Sequence, residues 1–306
     1  MHKSSLMPFA SLIMLTAPIW AGEGPPPRRM APIPAGFKIL ADQPYVEKGH
    51  KAQVLDLIYP EKAEKPLPLI VWIHGGAWSA GSKNGGPFMQ MLSKGYSVAS
   101  IEYRFSQVAP MPAQINDCKA AIRWIRAHAK EYNIDGAHIG VWGSSAGGHL
   151  VALLGTSGDV ADLEGDLGNK DQSSRVQAVC DWFGPSDIGK MGEQSGPDSK
   201  IAHNNPSSPE SKLIGGAVLE NLEKAAKASP ITYVTKDDPP FLIMHGDKDP
   251  LVPLKQSETL RDALKTAGVE VELAVQIGDG HGGKKFSSPE SNEKIEAFFE
   301  KHLKGK

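Results

Sequence analysis

Cysteine is nearly missing from this chain of 306 residues: only Cys118 and Cys180 occur. A framework of several disulfides is therefore excluded, and the fold must rest on a packed core. Cys118 falls on a helical pattern and Cys180 inside a strand pattern, so two buried thiols are expected rather than a bridge. An excess of charge is missing too. The net charge is −2 and no Lys/Arg run stands out, so nothing suggests nucleic-acid binding. No histidine pair has metal-ligand spacing, and neither a metal nor any other cofactor is expected. The acidic residues Asp159, Asp162, Glu164, Asp166 and Asp171 lack the spacing of an EF-hand and read as a solvated loop. There is no internal repeat.

A long apolar run is lacking as well. Leu6 to Trp20 is the most apolar stretch, but it is short and interrupted by proline. His2 and Lys3 precede it and Ala21-Gly22 follows, so residues 1–21 read as a cleaved secretory signal, with an uncleaved anchor as the alternative. A periplasmic or secreted protein is expected, with no integral membrane segment in its mature form. The Pro-rich stretch 22–36 reads as a linker.

The remainder, 37–306, has globular composition, 40% hydrophobic and 22% charged over the whole chain, and suits one large domain. Phe37 to Val46 and Val54 to Ile58 predict a hairpin. Leu69 to Ile73, Ser97 to Tyr103, Ile139 to Trp142, Val176 to Trp182, Phe241 to Met244 and Val269 to Ile277 predict strands, several apolar enough to be buried on both faces. Between them lie a short helix at Phe88 to Leu92 closed by Gly95, then helices at Ala113 to Tyr132, after Ser145, at Leu254 to Ala267 and at Glu290 to Leu303. Strand–helix alternation predicts an α/β fold with a mainly parallel central sheet and helices on both faces. Residues 186–229 break the alternation. They are rich in Ser, Pro, Gly and Asn, with one helical pattern around Val218 to Ala228, and read as a small lid-like insertion.

The chemistry concentrates in four segments, each following a strand. Gly143-Ser144-Ser145-Ala146-Gly147 has the G-x-S-x-G pattern between a strand and a helix, which presents Ser145 as a nucleophile on a tight turn. His74-Gly75-Gly76-Ala77-Trp78 can aim the N–H groups of Gly76 and Ala77, with that of Ala146, at a developing oxyanion. Asp247 and Asp249 lie in one loop. Asp249 sits deeper and can reach a histidine from the next loop, whereas Asp247 suits the turn itself. His281 stands in the Gly-rich loop Gly278 to Gly283. The order Ser145, Asp249, His281 is that of a hydrolytic triad. Among the other histidines, His74 is expected to bond its own loop and His149 to pack inside the elbow helix. His245 ends a strand, and His50, His128, His138, His203 and His302 read as surface residues. Trp78 and Trp182 read either as walls of an acyl or aromatic pocket or as core rim.

Taken together, His74 to Trp78, Tyr103-Arg-Phe-Ser106, Gly143 to Gly148, Asp181-Trp-Phe-Gly-Pro185, Ser229-Pro-Ile231, His245 to Pro253 and Gly280 to Gly283 resemble the α/β-hydrolase superfamily. Within it, the chain looks most like secreted bacterial feruloyl and acetyl-xylan esterases, near the hormone-sensitive-lipase group. The resemblance covers roughly residues 37–303. It implies a serine esterase for short acyl or hydroxycinnamoyl esters linked to carbohydrate, with a small-molecule or oligosaccharide ester as its partner. Ala77 departs from the group, which often has a third glycine there. An arylformamidase shares these motifs, a serine peptidase is a weaker rival, and a non-catalytic binding protein on the same scaffold is the rival from another class.

Overall fold

The computed structural model describes residues 32–305. The expected signal at 1–21 and most of the expected linker lie outside the described residues. Eight strands form one sheet: β1 (Phe37–Pro44), β2 (Val54–Pro60), β3 (Leu67–Ile73), β4 (Ser97–Ile101), β5 (Ile134–Ser144), β6 (Ala178–Trp182), β7 (Phe241–Gly246) and β8 (Val271–Gln276). Their spatial order is β1-β2-β4-β3-β5-β6-β7-β8. The β1–β2 hairpin and the β2–β4 pair are antiparallel, and every other pair is parallel. The helices are α1 (Ala113–His128), α2 (Ala146–Thr156), α3 (Ala161–Glu164), α4 (Met191–Gln194), α5 (Pro209–Ile214), α6 (Leu222–Lys227), α7 (Leu254–Ala267) and α8 (Pro289–Lys304). A 3₁₀ segment at Pro87–Lys94 ends at Gly95, which is left-handed at φ 79°.

Two cores lie on the two faces of this sheet, which explains why its central strands read as unbroken apolar runs. Successive side chains of a strand point to opposite faces. Leu69, Val71 and Ile73 of β3, Ile139 and Val141 of β5, and Phe241 and Ile243 of β7 pack with α1, α2 and α7. Their neighbours Ile70, Trp72, Trp142, Leu242 and Met244 pack with the 87–94 segment and α8. α7 stops at Gly268, again left-handed. α8 begins where the Ser288 side chain accepts from the Ser291 N–H, with Pro289 in the first turn. Cys118 and Cys180 are both free and buried, one in each core.

Residues 186–229 are more helical than their composition predicts. α4, α5, α6 and two 3₁₀ turns occupy them. Pieces of three to six residues are too short to build a recognisable period, so only the last could be seen in the sequence. The acidic loop is not simply solvated either. Glu164 accepts from the buried Lys119 and Arg123 and fastens α3 to α1.

Candidate functional site

The loops after β3, β5, β6, β7 and β8 meet at the carboxyl edge of the sheet, where open parallel sheets bind ligands. Ser145 occupies the turn between β5 and α2 at φ 56°, ψ −120°. An L-residue adopts such a backbone only under constraint. The constraint is visible: Ser145 N–H donates to Trp182 O at 2.8 Å, and His149 N–H donates to Ser145 O at 2.9 Å. The flanking glycines are required by contact. A Cβ on Gly143 would meet Gly147 O at 2.4 Å, and one on Gly147 would meet Ile73 O at 2.0 Å. The turn therefore raises Ser145 Oγ at the amino end of α2, where the helix dipole favours negative charge.

His281 Nε2 lies 2.8 Å from Ser145 Oγ, and His281 Nδ1 lies 2.7 Å from Asp249 Oδ2. With Nδ1–H donating to the carboxylate, Nε2 is left to accept from the serine hydroxyl. The Asp249 side chain is fully buried. Its Oδ1 accepts from the Leu251 and Val252 N–H groups at 2.8 and 2.9 Å. Burial by itself would raise its pKa, but hydrogen bonds from His245 and His281 outweigh that and hold the carboxyl well below the usual carboxylate range. Asp247 has the structural role its position suggests, since its Oδ1 accepts from Gly278 N–H and ties the β7 loop to the β8 loop. His245 does more than end its strand. Its Nε2 contacts Val252 O at 2.9 Å and Asp249 Oδ2 at 3.3 Å, while its Nδ1 meets Ser257 Oγ at 2.6 Å.

The loop after β3 carries three consecutive positive φ values: Gly76 at 114°, Ala77 at 53° and Trp78 at 54°. For the two L-residues that conformation costs roughly 1–2 kcal/mol each. It is held by Ser79 N–H and Ala80 N–H donating to Gly76 O, and by Ser106 N–H donating to Trp78 O. His74 braces the base of the loop, with Nδ1 2.7 Å from Gly75 O and Nε2 2.9 Å from Glu102 Oε1. Gly76, Ala77 and Ala146 all line the cavity in front of Ser145. Their N–H groups have no backbone acceptor among the described residues.

That cavity has a volume of about 460 Å³ and reaches Ser145 and His281. The two tryptophans divide. Trp78 lines it as a buried wall, its indole N–H donating to His149 Nδ1 at 3.1 Å. Trp182 does not line it. As the last residue of β6 it shares the face of Cys180 and packs in the opposite core, edge-on to Trp142 at 5.0 Å. Strand alternation assigns it to that side, and this corrects the pocket-wall expectation. The next residue, Phe183, at φ 44°, lines the cavity instead and sits 4.6 Å from the His281 ring. Sequence reasoning also missed Ile201, Pro209 and Glu210 of the insertion, which line the same space. His203, expected at the surface, is buried and paired with Glu210 at 2.9 Å. Among the described residues no group of three or more His, Cys, Asp or Glu could hold a metal ion, and no helix is long and apolar enough to cross a membrane.

His149 links the Trp78 loop to the insertion, with Nδ1 accepting from Trp78 and Nε2 donating to Ala228 O at 2.7 Å. Burial pushes its pKa from 6.5 down to about 4, with the Ala228 carbonyl opposing the shift. A folded-state pKa below the unfolded one gives stability that is full above pH 6.5 and is lost as pH falls through 4. The difference corresponds to about 3 kcal/mol. The Tm of the wild-type protein is therefore expected to fall more steeply between pH 6.5 and 4 than that of His149→Gln. Parallel curves in a thermal-melt series would remove His149 as the source.

A family profile described as BD-FAE matches residues 55–264. The probable carboxylic ester hydrolase LipM of Mycobacterium tuberculosis is 31% identical over 246 residues, which is 79% of this chain and 55% of that protein. This chain spans a little over half the length of such curated relatives. Among solved structures, a truncated form of a carbohydrate esterase from gut microbiota is 34% identical with a TM-score of 0.81, over 92% of this chain and 100% of the other. A bifunctional GH43-CE protein of Bacteroides eggerthii is 37% identical with a TM-score of 0.78, over 86% of this chain and 38% of the other. With its eight-stranded, mostly parallel sheet and a serine raised on the turn after β5, the chain belongs to the BD-FAE family of α/β-hydrolases.

Proposed function

We propose that the chain is an exported serine carboxylic-ester hydrolase acting on short acyl or hydroxycinnamoyl esters linked to carbohydrate. The observation that carries the reading is the unbroken relay from Ser145 Oγ through His281 to the buried Asp249, opening on one cavity. Ser145 Oγ attacks the ester carbonyl while His281 Nε2 takes its proton. Asp249 holds the ring orientation and stabilises the imidazolium. The N–H groups of Gly76, Ala77 and Ala146 receive the oxyanion. As the tetrahedral intermediate collapses, His281 protonates the leaving alcohol. Water, deprotonated by His281, then releases the acid and restores Ser145. Every proton is accounted for by these residues. The carbohydrate esterase named among the neighbours supports the substrate class.

The insertion argues against a lipid surface as substrate. Leu219 and Leu222 are exposed, but they sit on pieces of three and six residues, with no long apolar helix to dock on an interface. The test is kcat/KM for p-nitrophenyl esters of increasing acyl length, beside acetylated and feruloylated xylo-oligosaccharides and an aryl formamide. Rates are expected to level off beyond short acyl chains and then to fall by about tenfold or more per added pair of methylenes once the cavity is filled. A rate that climbs to long chains and jumps at an emulsion interface would make this a lipase. Preference for the formamide would make it an amide hydrolase.

A further inference from the structure

His74 stands at the foot of the loop after β3, and its ring is clamped between two acceptors. Nδ1 lies 2.7 Å from Gly75 O and Nε2 lies 2.9 Å from Glu102 Oε1. A neutral imidazole has one N–H to give and one lone pair that needs a donor, whereas a carbonyl oxygen and a carboxylate oxygen only accept. Both contacts are hydrogen bonds only if the His74–Glu102 pair holds one proton more than a neutral ring supplies. Glu102 is the poorer place for it. Its Oε2 accepts from the Lys83 N–H at 3.2 Å, which favours the ionised carboxylate, and its side chain keeps 17% exposure to water. The proton therefore belongs on the ring.

No other histidine among the described residues is placed in this way. His149 Nδ1 accepts from the Trp78 indole while Nε2 donates to Ala228 O. His281 gives its Nδ1–H to Asp249 and keeps Nε2 for the Ser145 hydroxyl. His245 meets Val252 O on one side but on the other Ser257 Oγ, which can donate. The surroundings of His74 suit a cation. Tyr103 stacks on its ring at 4.6 Å, offering an aromatic face. The nearby cation, Lys83 Nζ, is neutralised by Asp42 and Asp56. Gly81, at φ 105°, packs over the bond to Gly75, where a Cβ would meet Gly75 O at 2.3 Å and His74 Nδ1 at 2.4 Å.

The bond matters for the peptide on which it ends. Gly75 C=O and Gly76 N–H belong to one amide group. A charge-assisted hydrogen bond to the carbonyl draws electron density through that amide, so its N–H becomes a stronger donor. Gly76 lines the cavity in front of Ser145, and its N–H has no backbone acceptor among the described residues.

We propose that His74 and Glu102 are positioning residues of a particular kind: Glu102 holds His74 as an imidazolium, which donates to Gly75 O and polarises the Gly75–Gly76 peptide whose N–H receives the oxyanion. The inference rests on the ester-hydrolase reading above. It assigns the pair a charge, beyond the bracing that a neutral ring would also provide.

Glu102→Gln separates the charge from the brace. The glutamine amide N–H can donate to a neutral Nε2, its carbonyl can accept from the Lys83 N–H, and the His74 Nδ1–H still reaches Gly75 O. Loss of a whole oxyanion donor costs about 10²–10³ in kcat, so weakening one is expected to cost about tenfold. KM should stay within about twofold, because the oxyanion forms only on the way to the tetrahedral intermediate. A trifluoromethyl ketone probes the same donor at equilibrium: Ser145 Oγ adds to the ketone carbon, its proton passes to His281, and the ketone oxygen is left anionic. Its Ki is expected to rise by the same factor as kcat falls. The charge itself is read by NMR of protein labelled with ¹⁵N in its histidine rings, at about pH 8, where an exposed ring is neutral. The wild-type protein is expected to show a ring with both nitrogens protonated, absent from His74→Gln and reduced to one proton in Glu102→Gln. If Glu102→Gln does not fold, the wild-type spectrum, assigned against His74→Gln, still decides. A wild-type spectrum in which no ring carries both protons overturns the inference without any variant. So does a folded Glu102→Gln whose kcat and Ki match the wild type, or whose loss lies in KM or Tm alone. These outcomes leave ester hydrolysis intact. Failure of the wild-type enzyme on every ester tried, with no fluorophosphonate labelling of Ser145, overturns the ester-hydrolase reading and the inference with it.

Discussion

Ser145→Ala is expected to lose at least about 10⁴-fold in kcat on any ester the wild-type enzyme hydrolyses, whereas Ser144→Ala keeps measurable turnover. Both serines line the cavity, but only Ser145 Oγ lies within hydrogen-bond reach of His281. Removing that oxygen removes the covalent route. What remains is carbonyl polarisation by the loop N–H groups, which sustains a small residual rate. The fold should tolerate the change. Alanine meets the same backbone restriction as serine at φ 56°, so the strain at the elbow is unaltered. The check is burst kinetics with a p-nitrophenyl ester and labelling by a fluorophosphonate, at a Tm confirmed close to that of the wild-type protein. Near-wild-type turnover by Ser145→Ala would sink the acyl-enzyme route.

The residues of this relay were legible in the sequence because each sits beside a strong local signal. The elbow needs glycine at 143 and 147 on account of backbone contacts, and those glycines frame the serine. The strands beneath were legible because they are buried on both faces, so that their apolar runs are continuous. The walls of the cavity were harder to read. Trp182 looked available because it ends a strand near the site, yet its parity with Cys180 sends it to the far core. Applying the two-residue alternation to that one strand would have found this. Glu210 and His203 carried no comparable signal. A glutamate in the first turn of a helix ordinarily reads as a solvated partner of the helix dipole. Its burial depends on where the insertion folds back over the sheet, which no local pattern records.

The two aspartates of the β7 loop should separate cleanly. Asp249→Asn is expected to lower kcat by about 10³–10⁴-fold with little change in Tm, while Asp247→Asn lowers Tm and leaves kcat within about tenfold. The reasoning is about which proton each carboxylate controls. Asp249 Oδ2 takes the Nδ1–H of His281 at 2.7 Å, which leaves Nε2 free to accept from Ser145. An asparagine that turns its amide N–H toward Nδ1 makes that nitrogen the acceptor, so the ring proton moves to Nε2, facing the serine hydroxyl it is meant to deprotonate. One that turns its carbonyl there keeps the tautomer but loses the charge that stabilises the imidazolium. Either way the base fails at the transition state, and the loss falls on kcat rather than KM. The loop itself should survive, because in the first orientation the asparagine carbonyl still accepts from the Leu251 and Val252 N–H groups. Asp247 faces a different task. Its Oδ1 accepts from Gly278 N–H, joining the loop of Asp249 to the loop of His281, and its side chain is part-exposed. Weakening that bond loosens the placement of both partners without changing the proton on either, so the cost appears as stability, about 1 kcal/mol for one hydrogen bond. The measurement is kcat and Tm for both variants under one condition. If Asp247→Asn proved the deeper kinetic lesion at matched Tm, the acid of the relay would have to be reassigned.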